Sequence, residues 1–205
     1  MQDIKIFANE FFSFHFLEPV LARLMHKYKG LHFAILSHVS ENLSDFDAYF
    51  LNYTFPIKHF DSEVITESKL GLYAHPAYLN EFGIPQKLED LERHTVIRSK
   101  GVHATQDLGV KKFNLIEEYT PIFYKKRCVE VDSSASLMRL AEAGTGIIGL
   151  TDSAAKKIGQ KLQKIPPLNE EREFIYREYI FGYSEKHRNS PLIRDIVSEL
   201  RSDFC

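Results

Sequence analysis

Nine histidines and two cysteines are the side chains of this 205-residue sequence best suited to hold a metal or act as nucleophiles. Their spacing supports neither role. His26, His32 and His38 fall six apart, and no pair shows the HxxxH or HxH interval that lets one element aim two imidazoles at one ion. Cys128 and Cys205 form no CxxC pair, and two cysteines are too few for a disulfide framework. Cys128 lies in an apolar-alternating stretch and reads as a core or near-core thiol. The serine-nucleophile elbow GxSxG is absent. Carboxylates are scattered, with no pair set apart for acid–base work. Two histidines keep some interest, His38 and His75, because each comes just after a strand pattern. The residues predict no enzyme, no metal and no cofactor.

Gly144-Thr145-Gly146-Ile147-Ile148-Gly149 matches the GxGxxG spelling of a dinucleotide loop. Pyrophosphate binding needs the order strand, glycines, helix, so that helix N-terminal amides face the anion. Here a helical pattern, Leu137 to Ala143, comes first and the apolar run Ile147 to Leu150 comes second. The glycines sit at a helix C-terminus, the wrong electrostatic end for phosphate.

The remaining candidates are strand-to-helix junctions carrying small polar residues: Asn9–Ser13, His38–Ser40 and Asp132–Ser134. In open α/β sheets ligands gather beyond the strand C-termini, where the first N–H groups of a helix lack intrahelical partners. Taken singly, the serines at these places also serve as plain helix caps.

Periodicity sets the elements that position these junctions. Asp3–Ala8 alternates as a strand, with Asn9–Ser13 as a loop after it. Phe14, Leu17, Val20, Leu21, Leu24, Met25 and Tyr28 then form one helical stripe, with Pro19 in its first turn and Gly30 as a left-handed stop. Leu31–Leu36 is a second strand, so the chain opens β–α–β, which favours parallel pairing. Next come a short helix near 41–46, strands at 48–51 and 64–74, a helix from Pro76 to Phe82, another at 88–93 and a strand at 95–98. Ser99–Gly109 reads as a loop, and strands are expected at 111–116, 119–124 and 127–131. A helix from Ser134 to Ala143, capped by Asp132 or Ser133 and stopped by Gly144, precedes the strand Ile147–Leu150. The chain closes with a long strand, 174–183, and a helix with Pro191 at its first position and Leu192, Ile193, Ile196, Val197 and Leu200 on its apolar face. If both long strands cross between lobes, residues 1–70 with 181–205 make one lobe and 71–180 the other.

The totals are those of an ordinary globular protein: 44% hydrophobic, 26% charged, 13% aromatic without tryptophan. Twenty-six basic and 28 acidic residues leave a formal charge of −2, which is no electrostatic footprint for nucleic acid. The N-terminus lacks a basic head and apolar run, and no stretch approaches a membrane span, so a cytoplasmic location without membrane contact is expected.

Three segments resemble the effector-binding domain of LysR-type transcriptional regulators. Ala8 to Leu21 resembles the family's first strand–helix junction. Leu72 to Leu79, with Gly83, Pro85, Leu88-Glu89-Asp90-Leu91 and His94, resembles its hinge strand and the stretch after that strand. Val129 to Ser134, leading to Leu140 to Leu150, resembles its second-lobe helix with the Ala-Gly-x-Gly-Ile exit. The resemblance implies an α/β, periplasmic-binding-protein-like (type II) fold of two Rossmann-like lobes joined by a two-strand hinge. It implies a cytoplasmic ligand-sensing domain that binds a small-molecule effector in the interlobe cleft. It also implies a homodimer or tetramer built through Phe14–Lys29 and Ser134–Ala143. DNA would be contacted only by a separate N-terminal winged helix-turn-helix of roughly 90 residues, a size ordinary for a small domain. The family's pocket maps onto Asn9, Phe11 and Ser13; His38, Val39 and Ser40; Ser99, Lys100 and Gly101; and Asp132, Ser133 and Ser134. Phe11 departs from the hydroxyl residue common at that position, so the rim formed with Phe12, Phe14 and Phe16 is bulky and apolar, suited to an aromatic or apolar effector or else partly self-filled. An extracytoplasmic solute-binding protein of a transporter shares the fold, and the absent secretion signal and lipoprotein cysteine argue against it.

Overall fold

A computed structural model describes residues 2–37, 45–52, 57–99, 127–159, 161–168 and 176–204. The expected strands at 111–116 and 119–124, the loop after Ser99, residues 41–44 of the short helix near 41–46, and the site residues His38, Val39, Ser40, Lys100 and Gly101 lie outside them.

In chain order the first described elements are β1 (Gln2–Ala8), α1 (Glu10–Phe12), a π-turn (Ser13–Leu17), α2 (Glu18–Lys27), β2 (Leu31–Leu36), β3 (Ala48–Leu51), β4 (Phe60–Ala74) and α3 (Pro76–Phe82). Then come a 3₁₀ turn (Leu88–Arg93), β5 (Val96–Ser99), β6 (Cys128–Val131), α4 (Ser134–Glu142), β7 (Ile147–Thr151), α5 (Asp152–Lys157) and β8 (Gln163–Lys164). The chain ends with β9 (Tyr176–Ser184), a 3₁₀ turn (Glu185–His187) and α6 (Pro191–Phe204).

The chain divides into two compact units, 1–67 with 178–205 and 68–177, and both β4 and β9 run from one into the other. In the first unit the strand order is β2-β1-β3-β9-β4. β1 pairs in parallel with β2 and with β3, and β3 pairs antiparallel with β9. The core is aromatic: Phe12 lies 5.2 Å from Tyr179 and 5.7 Å from Phe50, ring centre to ring centre, and Phe16 stacks on Phe204 at 4.6 Å. Leu192, Ile193, Ile196, Val197 and Leu200 are all buried, as the apolar face of the last helix requires.

The first helix departs from the sequence reading in two ways. Asn9–Ser13 is not a loop. Asn9 caps a helical turn, its Oδ1 accepting from the Phe12 N–H at 2.9 Å, and the Ser13 N–H donates to the Asn9 carbonyl at 2.8 Å. The apolar stripe also shifts, for Phe14 is 65% exposed and Met25 53%. The π-turn explains Phe14: the Glu18 N–H bonds back five residues to Ser13, so the residue beneath Leu17 is Phe12 rather than Phe14. Phe11, Phe12 and Phe16 are buried instead.

In the second unit β4 pairs antiparallel with β7 and β8, while β5 pairs in parallel with both β6 and β7. Its core gathers Leu70, Leu72, Tyr78, Leu79, Leu91 and Ile147, among others. The glycines of the GxGxxG stretch are structural. Gly144 has φ +75°, a left-handed stop after α4. Gly146 passes so close to Thr95 that a Cβ would lie 2.4 Å from its carbonyl oxygen. Two further differences have local causes. β4 begins at Phe60 rather than Val64 because its polar start is held by ion pairs, Asp61 to Arg188 at 2.6 Å and Glu63 to Arg201 at 3.1 Å. Periodicity does not predict helix α5, yet Thr151 caps it, Asp152 opens it, and Lys156 and Lys157 close it in the order the helix dipole favours.

Candidate functional site

β1 delivers the chain to Asn9 at its C-terminal end, and α1 starts at once. The side chains of this first junction are already engaged. The Asn9 Oδ1 holds the Phe12 N–H, and the Ser13 hydroxyl, 5% exposed, donates to Glu18 Oε1 at 2.8 Å. Phe11 is 7% exposed, its ring 4.5 Å from that of His15 and 6.2 Å from that of Phe16. His15 in turn meets the exposed Phe14 ring edge-on at 4.9 Å. Asn9, Phe11 and Ser13 are thus brought together as one capped, ring-packed helical start.

The second unit carries a comparable junction. The parallel register places Ser99 beside Val131, so β5 and β6 end together. One step earlier Arg98 pairs with Glu130 across the same strands. After Val131 comes Asp132, exposed, then Ser133, whose side chain caps α4 by accepting from the Ser136 N–H at 3.3 Å. Ser134 opens α4 and is half-buried. Four of the expected residues therefore meet at one pair of strand ends beside one helix start.

His75 has a structural task. It caps α3, its Nδ1 accepting from the Ala77 N–H at 3.2 Å. Cys128 is the half-buried first residue of β6. Among the described residues no cluster of histidine, cysteine and carboxylate side chains is placed to hold a metal, and no helix is long and apolar enough to cross a membrane.

Sequence reasoning overlooked Asp47. It is 9% exposed, and its carboxylate takes the Lys5 N–H at 2.8 Å, Lys186 Nζ at 2.5 Å and His187 Nε2 at 3.1 Å. Burial acts to raise its pKa, but those hydrogen bonds outweigh it and hold the carboxyl below its ordinary value. It ties β1, the start of β3 and the turn before α6 together. No local pattern marks an aspartate whose partners are 42 and about 140 residues away, and charge-assisted bonds of this kind show only in three dimensions.

Two α/β units, each with parallel strands ending at capped helix starts and both threaded by the same two long strands, define a ligand-binding module with a periplasmic-binding-protein-like fold. The chain belongs to the LysR substrate binding domain family, whose model matches residues 2–205. It is the ligand-sensing regulatory domain of a LysR-type transcriptional regulator. Solved structures similar to it include the CrgA regulatory domain of Neisseria meningitidis, at TM-score 0.73 and 17% identity over 100% of both chains. The MetR regulatory domain of the same organism matches at TM-score 0.72 and 9% identity, over 98% of this chain and 93% of that one. The full-length virulence activator AphB of Vibrio cholerae matches at TM-score 0.67 and 16% identity, over 98% of this chain and 68% of that one. No curated protein matches the sequence.

Proposed function

We propose that this domain binds a small-molecule effector through the junction residues Asn9, Phe11, Ser13, Ser99, Asp132, Ser133 and Ser134, together with His38, Val39, Ser40, Lys100 and Gly101, in a cleft between its two lobes. The observation that carries the reading is the pair of junctions in a chain matched end to end by an effector-domain family: each unit offers a helix start at the C-terminal end of its parallel strands. An effector that favours one arrangement of the lobes shifts the population toward it by its differential affinity alone, about tenfold for each ~1.4 kcal/mol. The domain performs no catalysis, takes no cofactor and acts in the cytoplasm. It assembles as a homodimer or tetramer through Phe14–Lys29 and Ser134–Ala143, a reading supported by the exposure of Phe14 and Met25, and leaves DNA to a separate N-terminal domain.

Isothermal calorimetry with a panel of aromatic acids, amino acids, aromatic amines and apolar metabolites tests the sensing role. Saturable heat with at least one member is expected. No heat and no thermal shift across the panel would sink it. Light scattering tests the assembly, a monomeric mass at micromolar concentration being the adverse result.

A further inference from the structure

We draw no further inference here: the strongest candidate, the cavity of about 450 Å³ in the first unit bounded by Tyr28, Lys186, His187, Ser190 and Leu192, carries none, because Asp47 already holds the Lys186 and His187 side chains and the start of α6 that remains has no second observation pointing to a ligand.

Discussion

Among the described residues one buried imidazole gives the second unit an acid-sensitive point. His94 is 4% exposed, with Nδ1 3.3 Å from the Tyr78 hydroxyl. Burial lowers its pKa, against a smaller upward pull from Asp90. The folded state therefore binds a proton less readily than the unfolded one. The contribution to stability is fully present above the ordinary histidine value of about 6.5, and is lost as pH falls through that value toward the lowered folded one. Urea midpoints measured at about pH 7.5 and about pH 5.5 should show a steeper acid loss in the native chain than in His94→Gln, which keeps a hydrogen-bonding group and does not titrate. Equal slopes would show that His94 is not the group responsible. The glycine stretch offers a second contrast at this scale. Gly146→Ala drives a methyl group against the Thr95 carbonyl, which cannot retreat because it accepts the Ile147 N–H at 2.8 Å. A loss of about 3 kcal/mol is expected for this overpacked site. Gly144→Ala meets nothing closer than 3.9 Å and suffers only its left-handed backbone, about 1–2 kcal/mol. The motif's spelling was legible in the sequence, and so was its reversed order. The carbonyl that makes Gly146 necessary was not, because Thr95 is remote along the chain.

At the scale of elements, local signals located helices and strands well and failed where backbone geometry departs from a uniform period. Helix Pro76–Phe82 and strands Leu31–Leu36 and Ala48–Leu51 have the bounds that proline, glycine and apolar runs imply. The π-turn defeats that reasoning, since periodicity assumes 3.6 residues per turn and one five-residue loop rotates everything before it. Phe14 and Phe16 have the same composition and opposite surroundings as a result, 65% and 0% exposed. Phe16→Ala should cost about 3–5 kcal/mol through the cavity left between Tyr179 and Phe204, while Phe14→Ala, measured at a concentration where the chain is monomeric, should stay within ~0.5 kcal/mol. Chemical denaturation of both variants checks this. Comparable losses would show that the helix runs straight through residues 13–17. The site was legible to the same degree. Ser133 was readable as a cap residue, whereas Asn9, which caps α1, fell in an expected loop, and the bond from Ser13 to Glu18 depends on the extra residue in the turn.

At the scale of the molecule, the opening β–α–β pattern and the long strands β4 and β9 made an α/β architecture readable from sequence, and family membership completed it. Charge patterns did not reveal the ion pairs of Asp47, Asp61 and Glu63, because their partners lie far along the chain. An effector shared by both lobes carries a demand that a ligand held at one junction does not. If it contacts Asn9–Ser13 and Asp132–Ser134 at once, it must slow amide exchange in both segments, although they belong to different compact units. At about one hundred times its dissociation constant such a ligand adds ~2.7 kcal/mol to the stability of the state that binds it. For a chain of this size that is a rise in unfolding temperature of about 5–11 °C. Hydrogen exchange read by mass spectrometry, with and without the tightest ligand from calorimetry, should show protection in peptides covering residues 9–18 and 131–137 together. Protection confined to one of the two would place the ligand on a single unit and remove the physical basis for coupling its binding to the arrangement of both.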